Sequence, residues 1–204
     1  MNGRDVVIIA SGGANIASLQ FALERLGVAA TLTADAVRIR SATHVILPGV
    51  GAAADAMQRL RAAGLDRVIT ALRQPVLGIC LGMQLLHAAS DEGSTECLGI
   101  IPGRATRFRA APDLPVPHMG WNTLVRCRDS ALLEGIEDGA HVYFVHSYAL
   151  PRAAPTIAAC DYGGAFSACV EWNNFYGAQF HPERSSAAGA RVLRNFLALA
   201  GTCA

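Results

Sequence analysis

Short apolar runs alternate with helix-like patterns through the first half of the chain. Four runs are typical of strands that are buried on both faces of a sheet: VVIIA (6–10), AATLT (29–33), HVILPG (44–49) and PVLGI (75–79). Helical spacing of apolar residues predicts helices after three of them, over 16–26 with Asn15 as cap and Gly27 as stop, over 52–63 and over LGMQLLHAA (81–89). Parallel connections must cross back over the sheet, so the alternation predicts an open, mainly parallel α/β sheet with helices on both faces.

The second half of the chain has a different pattern. Short strand candidates are separated by turns: RATRF (104–108), WNTLV (121–125), HVYFVHSYAL (141–150), TIAACDY (156–162), FSACVEW (166–172) and FYGAQF (175–180). We expect several of them to form antiparallel hairpins at the sheet edge. A closing helix is predicted over 186–200, with Val192, Leu193, Phe196 and Leu199 on one face. Ligands of such sheets bind beyond the carboxyl ends of the parallel strands.

Length and composition limit the class of protein. With 204 residues the chain is expected to be one domain, 1–204, and its 52% hydrophobic content contains no run of the ~18–20 apolar residues that span a bilayer. Met1 leads into VVIIA without the long apolar region of a secretory signal, so the cytoplasm is the expected location. The 17 basic and 16 acidic side chains nearly cancel, which gives no indication of nucleic-acid or membrane binding.

The six cysteines indicate neither a metal site nor a disulfide framework, because none forms a C-x-x-C pair. Cys80 differs from the others, since it lies between Gly78 and Gly82 where a predicted strand gives way to a helix. This G-x-C-x-G pattern is typical of a sharp turn that exposes a nucleophile at a helix start. The backbone N–H of Leu81 then points towards a developing oxyanion. The alternative is an inert thiol beside glycines that only allow close packing.

Two further segments could complete a site around Cys80. His181 follows FYGAQF, and Glu183 lies two residues further on, so the carboxylate can orient the imidazole as a base for the thiol. Pro48-Gly49-Val50-Gly51 follows the third predicted strand, where a backbone N–H could act as a second oxyanion donor. Taken alone, each segment could equally be an ordinary surface turn.

Together, these segments resemble the class I (triad) glutamine amidotransferases, whose cysteine lies in G-x-C-x-G and whose histidine and glutamate come from H-P-E. Within that class, the chain resembles the glutaminase subunits of imidazole glycerol phosphate synthases. That narrower similarity is carried, over nearly the whole chain, by LPGVG, PVLGICLGMQLL, CLGIIPG, PHMGWN, YFVHSY and GAQFHPERS. One departure is Ala10, where many members have an acidic residue.

The resemblance implies a glutaminase that needs no cofactor. Cys80 would attack the carboxamide of L-glutamine, with His181 and Glu183 as partners. Gly49, Val50, Gly51 and Leu81 would form the oxyanion hole, and Gln84, His146, Ser147 and Tyr148 would bind the substrate.

The resemblance also implies a partner. Ammonia would pass to a (β/α)8-barrel cyclase subunit, in a heterodimer that makes imidazole glycerol phosphate and aminoimidazole carboxamide ribotide for histidine biosynthesis. PVPHMGW (115–121), with His118, Met119 and Trp121, is expected to be an apolar interface loop. Asn15 and Ser18 match another partner-facing part of the family.

Three alternative functions stay open at this point. The chain could be the glutaminase of another triad amidotransferase, such as anthranilate synthase or pyridoxal phosphate synthase. It could be a noncatalytic subunit that keeps the fold. It could also be an esterase of the α/β-hydrolase type, although the usual order of Asp before His in that class differs from His181-Pro182-Glu183.

Overall fold

The computed structural model describes residues 4–12 and 16–200. Strands and helices alternate in the first half: β1 (Val6–Ile9), α1 (Ile16–Glu24), β2 (Ala30–Thr33), α2 (Ala36–Ser41), β3 (His44–Gly49), α3 (Ala53–Ala62), α4 (Leu65–Thr70), β4 (Val76–Cys80) and α5 (Leu81–Leu86). The second half consists mainly of strands: β5 (His87–Ser90), β6 (Thr95–Glu96), β7 (Ile101–Arg107), β8 (His118–Thr123), β9 (Val125–Arg126), β10 (His141–His146), β11 (Tyr148–Ala149), β12 (Thr156–Asp161), β13 (Ala165–Trp172) and β14 (Phe175–Ala178). The chain closes with α6 (Ser186–Ala198).

The main sheet has eight strands in the order β2-β1-β3-β4-β14-β13-β12-β9. The first five strands in this order are parallel to their neighbours, and the last three pair antiparallel at one edge. The predicted α/β sheet with antiparallel edge hairpins is therefore confirmed. Because β3, β4 and β14 are adjacent and parallel, their carboxyl ends bring the segments after residues 49, 80 and 178 to one edge.

Helices cover both faces of this sheet. Successive side chains of β1 point to opposite faces, so Val6 and Ile8 pack in one buried cluster with Leu23 of α1 and Phe196 of α6. Val7 and Ile9 pack in a second cluster with residues of α2, α3, α4 and α5. No helix within residues 4–12 and 16–200 combines the length and apolarity needed to cross a membrane.

The structure differs from the predicted elements in three places. The helix after Cys80 ends at Leu86 rather than at residue 89, because His87–Ser90 pairs with β7 and β6 in a separate four-stranded sheet. The predicted loop 115–121 becomes β8 from His118 onwards and pairs with β10. Helices α2 and α4 were not predicted from the sequence. The predicted cap Asn15 lies outside the described residues.

Glycines let β3, β4 and α5 approach one another closely. A Cβ added at Gly82 would collide with the carbonyl oxygen of Leu47, and one at Gly78 would lie 2.7 Å from the backbone of Met83. A Cβ at Gly49 would lie 2.5 Å from the nitrogen of Gly82. The helix that follows Cys80 therefore begins in backbone contact with the neighbouring strand.

We predict that Gly82→Ala lowers the free energy of unfolding by about 3 kcal/mol, because the added methyl group meets backbone that cannot move aside cheaply. Gly27→Ala is the control: Gly27 has φ +78° and open space around it, so only left-handed strain of about 1 kcal/mol is expected. Urea denaturation of the two variants measures both losses. A loss at Gly82 no larger than that at Gly27 would contradict this packing account.

Candidate active site

Cys80 forms the sharp turn between β4 and α5. Its backbone has φ 52° and ψ −114°, a region that residues other than glycine rarely adopt and that costs about 1–3 kcal/mol. The side chain is buried, with only 7% of its surface exposed. The strained turn predicted from G-x-C-x-G is thus present, and it places the thiol at the first turn of α5, next to the N–H of Leu81.

His181 and Glu183 lie beside this thiol. His181 follows β14, and the 3₁₀ turn Pro182–Arg184 carries the carboxylate back to the imidazole, where Glu183 Oε1 is 2.8 Å from His181 Nδ1. Burial lowers the pKa of His181, but hydrogen bonds to Cys80 and Glu183 and the negative charge of both groups raise it to about 10. The imidazole is therefore held as a cation at neutral pH, and a cation next to Cys80 favours the thiolate.

Ser185 fixes the loop that carries His181. Its hydroxyl donates to the carbonyl of His181 at 2.7 Å and accepts from the N–H of Tyr143 at 2.9 Å. The N–H of His181 in turn donates to the carbonyl of Tyr143 at 3.0 Å. Ser185 was not predicted from the sequence, because these contacts join the loop to β10, which is about forty residues away in sequence.

A buried glutamine also contacts the sulfur. Gln179 Nε2 donates to Cys80 Sγ at 3.6 Å, and Gln179 Oε1 accepts from Gln84 Nε2 at 3.0 Å. Gln84 Nε2 also donates to the carbonyl of Tyr148 at 2.9 Å. Gln179 was not predicted from the sequence, although a polar residue inside the apolar run FYGAQF, two positions before His181, is a signal for it.

A cavity of about 350 Å³ opens beside Cys80 and His181. The other predicted residues that line it are Val50, Gly51, Leu81, Gln84, His146, Ser147 and Tyr148. Gly49 and Glu183 are not among the residues that line the cavity, and Gly49 pairs with Cys80 across the sheet. Glu92, which was not predicted from the sequence, also lines the cavity and accepts from the N–H of Ala53 at 2.8 Å.

Hydrogen bonds fix the start of the loop Pro48-Gly49-Val50-Gly51, which is predicted to donate to an oxyanion. Ser11 Oγ donates to the carbonyl oxygen of Pro48 at 3.0 Å, and Arg59 Nε donates to the carbonyl oxygen of Ser11 at 2.8 Å. Gly51 has φ +86°, so the backbone turns at the cavity wall in a conformation that favours glycine.

His146 and His118 form a neutral hydrogen-bonded pair. His146 Nδ1 lies 2.8 Å from the carbonyl of Tyr148 and must donate to it, so His146 Nε2 accepts from His118 Nδ1 at 3.1 Å. Burial lowers the pKa of His146 to about 3, further helped by the charges of His118 and His181 and opposed by the bond to Tyr148. Burial lowers the pKa of His118 to about 4. His181 is therefore the histidine of this site that carries charge at neutral pH.

The residues predicted to face a partner lie in different surroundings. Met119 and Trp121 are 62% and 54% exposed on one face of β8. His118, which was predicted to belong to the same interface loop, is buried and stacks on Phe144 and Tyr162, so its side chain does not share the exposed face of the other two. Ser18 is half-buried in α1, and Asn15 lies outside the described residues.

Comparisons with known proteins agree on one family. The model of "Glutamine amidotransferase class-I" matches residues 8–200. Imidazole glycerol phosphate synthase subunit HisH of Xanthomonas axonopodis pv. citri (strain 306) is 56% identical over 193 residues, which cover 95% of this chain and 96% of that protein. The subunit of the same name from Xylella fastidiosa (strain Temecula1) is 53% identical with the same coverage. A crystal structure of a glutamine amidotransferase, 21% identical, superposes with a TM-score of 0.74 over 97% of this chain and 99% of that one, which shows the fold.

We predict that acid destabilises the protein through its buried neutral histidines. In the unfolded chain both histidines bind a proton near pH 6.5, whereas in the folded protein His118 has a pKa of about 4 and His146 a pKa of about 3. Below pH 6.5 the unfolded chain therefore binds more protons than the folded protein, and the free energy of unfolding decreases as the pH falls from 6.5 towards 3. His118→Phe should make this decrease shallower, while His141→Phe, at an exposed position of β10, should leave it unchanged. Urea denaturation at several pH values measures the slope. Equal slopes for wild type and His118→Phe would contradict the prediction.

Proposed function

This chain belongs to the class I glutamine amidotransferases and, within them, to the family of imidazole glycerol phosphate synthase subunit HisH, and on that premise we propose that it hydrolyses L-glutamine at Cys80. The observation that carries the proposal is a buried thiol on a strained turn, in one cavity with a histidine that is itself paired with a buried carboxylate. A base that is oriented by a third group beside the thiol is an arrangement that activates a nucleophile. The products are L-glutamate and ammonia.

In the first step, the Cys80 thiolate attacks the side-chain carbonyl carbon of glutamine, and the carbonyl oxygen becomes an oxyanion. The N–H of Leu81 and the loop Gly49-Val50-Gly51 are the proposed donors to that oxygen. His181 then gives its proton to the departing nitrogen, the carbon–nitrogen bond breaks, and ammonia leaves a γ-glutamyl thioester on Cys80. Glu183 stabilises the imidazolium before the transfer and keeps Nδ1 as the protonated nitrogen afterwards.

In the second step, water replaces ammonia. The neutral His181 takes a proton from the water as its oxygen attacks the thioester carbon. The carbon–sulfur bond breaks, the new γ-carboxyl group loses the second water proton to solvent, glutamate leaves, and the thiolate–imidazolium pair is restored. His146 cannot act as the base here, because it already donates through Nδ1 to Tyr148 and accepts through Nε2 from His118.

The cavity offers polar groups for the amino-acid end of glutamine. The Glu92 carboxylate lies on the wall and suits an α-ammonium group. Gln84 Nε2 donates both of its hydrogens to protein acceptors, the carbonyl of Tyr148 and Gln179 Oε1. The Gln84 atom that can still form a hydrogen bond with substrate is therefore Oε1. Ser147 and Tyr148 complete the proposed binding wall with His146.

The exposed apolar residues support a partner next to the site. Met119 and Trp121 pair with Val145 and Tyr143 in the two-stranded sheet of β8 and β10, so all four share one face. Val145 also lines the cavity, and its carbonyl accepts from the Cys80 thiol at 3.8 Å. We propose that this face docks the (β/α)8-barrel cyclase subunit as a heterodimer and that ammonia passes across it. A cytoplasmic location and a single domain over 1–204 stay predictions.

We propose that the cyclase uses this ammonia to form imidazole glycerol phosphate and aminoimidazole carboxamide ribotide in histidine biosynthesis. The relatives' names, as subunits of imidazole glycerol phosphate synthase, support this assignment over other triad amidotransferases. The near balance of 17 basic and 16 acidic side chains gives no reason to add a nucleic-acid or membrane partner.

We predict that Cys80→Ala lowers glutamine-dependent synthesis by the complex at least about 10⁴-fold, because the nucleophile is lost. Synthesis from added ammonia should continue, since that reaction bypasses the thiol. Cys127→Ala, at a half-buried position outside the cavity, is the matched control and should retain both activities. If Cys80→Ala kept its glutamine-dependent rate, the chain would be a noncatalytic subunit.

We predict that Glu92→Gln raises the KM for L-glutamine about tenfold, because a charged partner of the α-ammonium group is replaced by a neutral one. The value of kcat should change by less than about threefold, since Glu92 does not contact the thiol or His181, and glutamine still offers an oxygen to the N–H of Ala53. Steady-state kinetics of the complex separates the two constants. An unchanged KM would remove Glu92 from the binding site.

A further inference from the structure

Gln179 lies beneath the sulfur of Cys80 and outside the cavity. Its side chain is fully buried at 0% exposure, and it does not line the space where glutamine would bind. Its backbone is fixed at the end of β14, where its N–H donates to the carbonyl of Ala168 at 2.9 Å. The side chain therefore does not contact substrate directly, and its effect on the reaction passes through its two side-chain partners, Cys80 and Gln84.

The orientation of the Gln179 amide is determined by its neighbours. A backbone carbonyl only accepts, so the Gln84 atom that faces the carbonyl of Tyr148 at 2.9 Å must be Nε2. The same nitrogen faces Gln179 at 3.0 Å, so the Gln179 atom there must be the acceptor Oε1. Gln179 Nε2 is then the atom at 3.6 Å from Cys80 Sγ, which makes it a donor to the sulfur.

We infer that Gln179 is a positioning residue that holds the Cys80 thiolate through an N–H···S hydrogen bond, and that Gln84 keeps this donor turned towards the sulfur. The neutral thiol can donate to the carbonyl of Val145, but the thiolate cannot, and it needs donors instead. His181 supplies one donor and loses that proton to ammonia during the reaction. Gln179 supplies a second donor that cannot be transferred, so the sulfur keeps a partner through both steps. The inference deepens the proposed function and rests on it for its catalytic meaning.

Several titratable groups surround the sulfur and enter any pH profile. His181 contacts it and is paired with Glu183, while His146, Glu92 and Tyr148 line the same cavity. His146 is neutral above about pH 4, so it stays constant over the alkaline range in which a thiol is titrated by alkylation. The test therefore compares variants in which all of these groups are retained.

The experiment measures alkylation of Cys80 by iodoacetamide between pH 5 and 10 in the full-length chain, with the Cys80 peptide quantified by mass spectrometry. Iodoacetamide reacts with the thiolate and needs neither glutamine nor a partner subunit. Gln179→Met removes the donor at similar volume, and Gln179→Glu puts an oxygen in place of Nε2. Gln84→Met leaves Gln179 present but without its orienting donor. Gln74→Glu is the matched control, because Gln74 precedes β4 at the opposite end from Cys80 and donates to the carbonyl of Ile39.

For both Gln179 variants we expect the midpoint of the alkylation profile to move to higher pH, with the larger move for Gln179→Glu. We expect kcat for glutamine hydrolysis to fall about 10- to 100-fold, the usual effect of losing a hydrogen bond to a charged group. Gln84→Met should move the midpoint in the same direction, and Gln74→Glu should not move it. If a buried carboxylate prevents Gln179→Glu from folding, as judged by circular dichroism, Gln179→Met and Gln84→Met decide.

Unchanged alkylation profiles in folded Gln179→Met and Gln84→Met would overturn the inference. That result is distinct from a failure of the proposed function, which would appear as a wild-type protein that does not hydrolyse glutamine with or without the cyclase. If the wild type had no glutaminase activity but its alkylation still depended on Gln179, the hydrogen bond to Cys80 would be supported and the proposed hydrolysis of glutamine would be wrong.

Discussion

The carboxyl ends of β3 and β4 and the start of α5 are in backbone contact, and the position of the Cys80 thiol, around which the site is arranged, depends on that contact. Gly49 and Gly82 have no side chains to separate the two segments, and Gly78 lets Met83 approach β4. The chain can then reverse at a single residue, Cys80, which takes the unfavourable φ of 52°. The strain is tolerated because strands buried on both faces fix the chain on one side and α5, buried along its whole length, fixes it on the other.

That turn places Cys80 where β14 delivers two further groups. Strand β14 runs parallel to β4, so Gln179 and His181 leave it at the same edge of the sheet as the sulfur. Gln179 reaches the sulfur from within the protein, and His181 reaches it from the cavity side. The surrounding histidines are kept neutral by burial, whereas the carboxylate of Glu183 and the sulfur keep His181 charged. Opposite charge states of neighbouring imidazoles thus arise from their partners, since both rings are buried.

The sequence was sufficient for the parts of this arrangement that depend on local pattern. Apolar runs and glycines predicted β1, β3 and β4, the turn at Cys80 and the parallel sheet, and the pattern H-P-E indicated a carboxylate beside His181. Other parts depend on contacts between distant segments. The sequence of His87–Ser90 is typical of a helix, but these residues pair with β7. His118 belongs to the predicted interface loop 115–121, but its side chain stacks on Phe144 and Tyr162. Ser185, Glu92 and Gln179 owe their positions to β10, α3 and Gln84. Helix α2 is an exception, because its cap Asp35 is a local signal for a helix start that is present in the sequence.

Covalent labelling by a glutamine analogue that carries a diazoketone in place of the carboxamide tests the central claim most directly, because the analogue must occupy the cavity before it can alkylate the sulfur. Mass mapping of the labelled chain should find one equivalent of the label, on Cys80, and an excess of L-glutamine but not of L-asparagine should prevent it. Label on another of the six cysteines, or label on Cys80 that L-glutamine does not suppress, would contradict the account.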